Sequence, residues 1–235
     1  MINYKTPMLI DIFRLTKATD LTTEKAVVEY LKSKAGGFNY NRSATFTEKA
    51  YGGYPHLDSL YSQCEGDGTS IAKVHNAKVL RQTAPLSVGR KIQTFPFPKR
   101  RYTVAPGINS SMGPQFFFVE SETVKLLYIH ARNSHRADLK DFAGLAWALK
   151  QDVLDEDFFG QPSDVEFINV DKRGETPHTE VYSLKDLEAH LKEDPQITLA
   201  RFTRVFSKIR EQGLAGELIK RRRPRPENPQ PDLFA

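Results

Sequence analysis

Gln115-Phe116-Phe117-Phe118-Val119-Glu120 and Val124-Lys125-Leu126-Leu127-Tyr128-Ile129-His130 are the stretches on which the reading of this chain turns. Both are dense in the aromatic and aliphatic side chains that suit a pleated, half-buried backbone. The intervening Ser121-Glu122-Thr123 makes a tight turn, so the two runs are read as a hairpin. Beyond it, residues 138–154 have helical spacing, with Leu139, Phe142, Leu145, Ala146 and Leu149 on the buried side and Trp147 partly so. Residues 165–170 are a further strand, Lys172-Arg173-Gly174-Glu175 turns it, and residues 179–182 return. Two helices close the body. One covers 183–193, with Ser183 as cap and Asp186 three residues on. The other covers 197–212, with Leu199, Phe202, Val205, Phe206 and Ile209 inward and Arg201, Arg204, Lys208 and Arg210 on its polar side.

Upstream of the hairpin the character changes at Pro85. Residues 88–97 read as extended, and Phe95-Pro96-Phe97-Pro98-Lys99-Arg100-Arg101-Tyr102 is a basic, aromatic tract that its prolines restrict to an edge or a loop. Lys99, Arg100 and Arg101 between aromatics are the most nucleic-acid-like feature of the body, or else charges guarding a sheet edge. Residues 105–114 read as a Gly/Ser/Asn loop. Before Pro85 the chain looks helical: 8–13 as a short helix or a strand, a helix opening at Thr22-Thr23-Glu24 and stopped by Ala35-Gly36-Gly37, a second over 55–64, and a third over 69–81 with Ile71, Val74, Val79 and Leu80 inward. Tyrosine-bearing stretches at 37–42 and 50–55 read as loops whose rings stack on bases or cover the edge of a small domain. The expectation is therefore α+β: a helical N-terminal part (1–84), a mixed α/β core with a central sheet and hairpins (85–219), two closing helices, and a disordered basic, proline-rich tail (220–235).

At 235 residues the chain has room for one large domain or two small ones. Its 39% apolar and 27% charged residues suit a soluble globular protein, and no apolar run approaches the ~20 residues of a membrane span. The opening Met1-Ile2-Asn3-Tyr4-Lys5 lacks the layout of a signal peptide. Cys64, the one cysteine, excludes an internal disulfide and a cysteine-rich metal site. These features predict a cytoplasmic protein with no membrane partner. Of the net charge of +5, residues 220–235 supply +3 from five basic and two acidic groups, and the other 219 residues only +2. Any nucleic-acid affinity of the body must come from a local patch.

The order strand, strand, helix, strand over 115–170, with a closing strand ending at Asp171, resembles the core of the PD-(D/E)xK nucleases. That resemblance implies Mg2+ held by an acid on one strand and Glu-x-Lys on the next. Where Glu-x-Lys belongs, this chain has Tyr128-Ile129-His130-Ala131-Arg132, and the available catalytic candidates are Glu120, Glu122 and Lys125 at other spacings. Mg2+ is expected only if this nuclease reading holds; otherwise no cofactor and no metal are expected. His130 and His135 lie five apart around Arg132 with no third ligand, which is a poor zinc pattern and a better phosphate-binding corner or solvated loop. No Walker, dinucleotide or nucleophile-elbow fingerprint is present.

The tail reads Lys220-Arg221-Arg222-Arg223-Pro224-Arg225-Pro226-Glu227-Asn228-Pro229-Gln230-Pro231-Asp232-Leu233-Phe234-Ala235. Its four prolines forbid a helix and favour an extended chain. Gln230, Asp232, Leu233 and Phe234 form Gln-x-x-Leu-Phe, which resembles the peptide by which bacterial DNA polymerases and mismatch-repair proteins dock on the replication sliding clamp. The resemblance implies that the Gln230 amide enters a polar pocket while Leu233 and Phe234 fill an apolar cleft. Arg221, Arg222 and Arg223 would lie beside the DNA that threads the clamp. The expectation is a bacterial DNA-metabolism protein, with two alternatives: a toxin-like, non-enzymatic inhibitor of the clamp cleft, or a nuclease.

Overall fold

The computed structural model describes residues 4–33, 40–66, 71–131, 136–171 and 178–216. Five helices come first: α1 (Leu9–Leu15), α2 (Asp20–Lys32), α3 (Asn41–Tyr51), α4 (Leu57–Glu65) and α5 (Ile71–Thr83), the last running into a 3-10 turn at Ala84–Ser87. Strands β1 (Ile92–Pro96), β2 (Arg101–Ala105), β3 (Ile108–Ser111), β4 (Phe116–Glu120) and β5 (Thr123–His130) follow. Then come α6 (Leu139–Leu149), a π turn at Lys150–Leu154, α7 (Asp155–Asp157), β6 (Ser163–Asp171), β7 (His178–Tyr182), α8 (Leu184–Glu188) and α9 (Pro195–Gln212). The fold is α+β, as the hairpin and its flanks predict. Among the described residues no helix is long and apolar enough to cross a membrane.

The main sheet has the order β1-β4-β5-β6-β7. Phe116 pairs with Leu127 and Glu120 with Thr123 in the predicted hairpin, whose turn is the two residues Ser121 and Glu122. Both adopt the left-handed conformation (φ 49° and 65°), which matches the right-handed twist of the strands on either side. β5 and β6 are parallel, Leu127 opposite Glu166, because α6 carries the chain back across the sheet before β6 begins. All other neighbours are antiparallel.

Alternation along the strands gives the sheet two apolar faces. Phe116, Phe118, Leu127, Ile168 and Val170 meet Tyr51 of α3 and Val79 of α5. Leu126, Tyr128, Val165 and Phe167 face the other way, onto a larger core with Phe13, Phe142, Phe202 and Phe206 from α1, α6 and α9. Gly144 lets α6 approach α1 closely: a Cβ there would stand 2.5 Å from the Phe13 ring. Helices α3, α4 and α5 also bury Leu60, Cys64, Ala77 and Leu80 among themselves.

The helix starts are set by local chemistry. Thr19 caps α2 through a reciprocal bond with Thr22, so this helix opens at Asp20, two residues before the predicted start. Asp138 with Asp141 and Ser183 with Asp186 form the same box on α6 and α8. Asp194 caps α9, with Pro195 at its first position and Gly213 (φ 65°) ending it.

Several expectations are corrected. Helix α3 replaces an unassigned stretch between two expected loops. Its buried positions include Ser43 and Thr47, whose polar groups meet Asn76 (2.8 Å) and Thr83 (2.6 Å), so no apolar period marks it. Residues 105–114 are not all loop, because β3 pairs with β2 across Gly107. Ile71 and Val74 are exposed, at 64% and 44%, while Val79 and Leu80 are buried as expected. The helix expected over 183–193 ends at Glu188. The stretch at 8–13 is helical. The tail at 220–235, expected to be disordered, lies outside the described residues, as do the turn at 172–175 and residues 132–135.

Candidate functional site

Two of the three catalytic candidates converge, and the group that gathers them is one the sequence reading did not single out. Arg90, which follows the 3-10 turn, reaches over the α3 face of the sheet. Its Nε and Nη2 donate to Glu120 Oε1 and Oε2, both at 2.7 Å. Nη1 and Nη2 donate to Glu166 Oε1 and Oε2, at 3.1 and 2.8 Å. Nη1 also donates to the Leu86 carbonyl at 3.2 Å. All five guanidinium N–H groups are thereby used. Lys125 Nζ donates to Glu120 Oε2 at 2.9 Å, and the buried Tyr51 hydroxyl donates to Glu166 Oε1 at 2.6 Å. The guanidinium carbon sits 5.3 Å from the ring centres of both Tyr51 and Phe118.

The register explains the gathering. Glu120 and Lys125 sit on facing strands of the hairpin, on the same side as Phe118, while Glu166 is opposite Leu127 on that side. The hydrogen bond from Arg90, aided by Lys125, holds the Glu120 carboxyl down at about 2 against the opposing effect of burial. The Tyr51 phenol is pushed well above its ordinary range by burial first and by the Glu166 charge second. Arg90 is held more firmly protonated by its hydrogen bond to Glu120.

Every oxygen of the two carboxylates therefore accepts at least one hydrogen bond from a protein donor. This donor set does not fit Mg2+, which would need those same oxygens. Among the described residues no group of three or more His, Cys, Asp or Glu side chains is placed to hold a metal ion. Glu122 is exposed in the hairpin turn and does not join the cluster. The signal that could have pointed to Glu166 is a carboxylate in the middle of an apolar strand, Val165-Glu166-Phe167-Ile168.

The positions where the nuclease resemblance expects Glu-x-Lys are filled by packing side chains. Tyr128 is buried against Phe167, with ring centres 5.1 Å apart, and His130 meets Phe142 edge-on at 5.2 Å. Gln115, at the head of β4, accepts from the Ile129 amide (2.6 Å) and donates to the Gly113 carbonyl (3.1 Å), closing the open end of the hairpin.

The nucleic-acid candidates divide. Arg100 is paired with Asp152 (3.7 Å), Glu156 (3.4 Å) and Asp157, so three carboxylates of the π turn and α7 answer its charge. Lys99 and Arg101 are exposed on either side of it. Arg132, Arg221, Arg222 and Arg223 lie outside the described residues, and so do Gln230, Asp232, Leu233 and Phe234.

Two further concavities flank the start of α6. A cleft of about 340 Å3 lies between the end of α1, the first turns of α6 and the α8–α9 connection. Phe13, Gly144, Leu191 and Pro195 line it, together with Lys17, Lys140, Lys192 and Arg201. A second, of about 520 Å3, lies beside Asn169 of β6, with Asp138, Phe142, Glu180, Tyr182 and His190 on its walls together with the same Lys140 and Lys192. Comparison of the chain with protein-family models, with curated proteins and with solved structures finds no match.

Proposed function

We propose that this chain is a bacterial, cytoplasmic DNA-metabolism protein recruited to the replication sliding clamp by Gln230, Leu233 and Phe234. The observation that carries the reading is the peptide Gln230-Pro231-Asp232-Leu233-Phe234 behind a basic, proline-bearing segment. An amide beside an aliphatic–aromatic pair supplies both the polar and the apolar anchor that such a cleft needs. The described body closes where the Tyr4 hydroxyl donates to the Gly216 carbonyl (3.0 Å). Gln230 follows fourteen residues later, a chain length that spans at most about 50 Å. The body need not enter the clamp cleft for the peptide to do so.

The test is binding of the purified full chain to an isolated bacterial clamp, measured by calorimetry. Leu233→Ala/Phe234→Ala is expected to weaken binding at least about 30-fold, the usual consequence of losing ~2 kcal/mol at an anchor. Undiminished affinity in that variant ends the docking reading. Inhibition of clamp-dependent primer extension by excess protein would favour the toxin-like alternative.

The nuclease alternative is supported by the succession β4, β5, α6, β6 with its parallel return, which has the strand order that the resemblance implies. The same structure ties Glu120 to Arg90 and Lys125, so the expected result is no Mg2+-dependent DNA cleavage. Cleavage that Glu120→Gln abolishes would reverse that expectation.

A further inference from the structure

We draw no further inference here: the strongest candidate, the half-buried aromatic row of Phe95, Phe117 and Phe158 at the β1 edge of the sheet, with the 85% exposed Phe159 next in the chain, is an apolar surface patch, and nothing in the structure shows what covers it.

Discussion

Two charge clusters in this molecule are built in different ways. On the α3 face, Arg90 stands between Glu120 and Glu166 with every donor used and every carboxylate oxygen answered. At the start of α6, Lys17, Lys140 and Lys192 gather around a groove, and Lys140 and Lys192 have no ion pair among the described residues. The first arrangement is complete in itself and binds the N-terminal helices to the sheet. The second has acids on the same walls, Asp138 and Asp141 capping α6 and Glu193 held by Arg201, while Lys140 and Lys192 stay in solvent. The difference separates a charge cluster closed on itself from one whose lysines remain in solvent, although from sequence the first looked more like an active site.

The comparison breaks most decisively at Arg90. Arg90→Ala leaves two partly buried carboxylates side by side without their cation, and the expected loss is about 3–5 kcal/mol by denaturant unfolding. A loss below about 1 kcal/mol would mean that Glu120 and Glu166 are not tied down, and the nuclease reading would regain its carboxylates.

Acid should expose the same dependence more gently. The Glu120 carboxyl titrates at about 2 in the folded protein against an ordinary 4.5, so the unfolded chain takes up a proton first as pH falls. The stabilisation is whole above about pH 5 and is lost between there and pH 2, up to about 3 kcal/mol for a group one-fifth exposed. In Glu120→Gln this part of the pH profile should flatten. Unfolding curves across that window check it, and an unchanged profile would remove Glu120 from the stabilising cluster.

The smallest effect is expected on the other side of the comparison. Lys140→Gln removes both a repelling neighbour of Lys17 and an attraction for the Asp141 carboxylate, so stability should change by less than about 0.5 kcal/mol in either direction. The Lys17 ammonium should titrate higher in this variant, as followed by NMR. A destabilisation above 1 kcal/mol would show that Lys140 is part of the fold.

How much of this was legible depends on the kind of signal. The hairpin, the α6 helix and the β6 strand announce themselves because apolar residues recur at periods of two and 3.6. Helix α3 does not, since Ser43, Thr47 and Tyr51 are buried there through polar partners on α5 and on the sheet, and no pattern of apolar residues records a hydrogen bond made 33 or 115 residues away. Of the candidate site, Glu120 and Lys125 could be named from the nuclease resemblance of the hairpin that carries them, in which Glu120 faces Thr123 and Lys125 faces Phe118. Arg90 and Glu166 join them from 30 and 46 residues away, at distances that only strand register decides. Arg100 shows the reverse error. In the sequence it is one of three cations among aromatics, while in the fold the π turn and α7 bring three acids to it.

The sequence by itself determined the α+β class, the succession β4, β5, α6, β6, and the peptide at Gln230–Phe234, because each is written in neighbouring residues. Only the tertiary structure decided which charges meet. Parallel pairing of β5 with β6 sets Glu166 beside the hairpin on one face of the sheet. Electrostatic energy depends on distances between side chains and on the solvent removed around them. The chain acquires those quantities only when strands distant in sequence come into register.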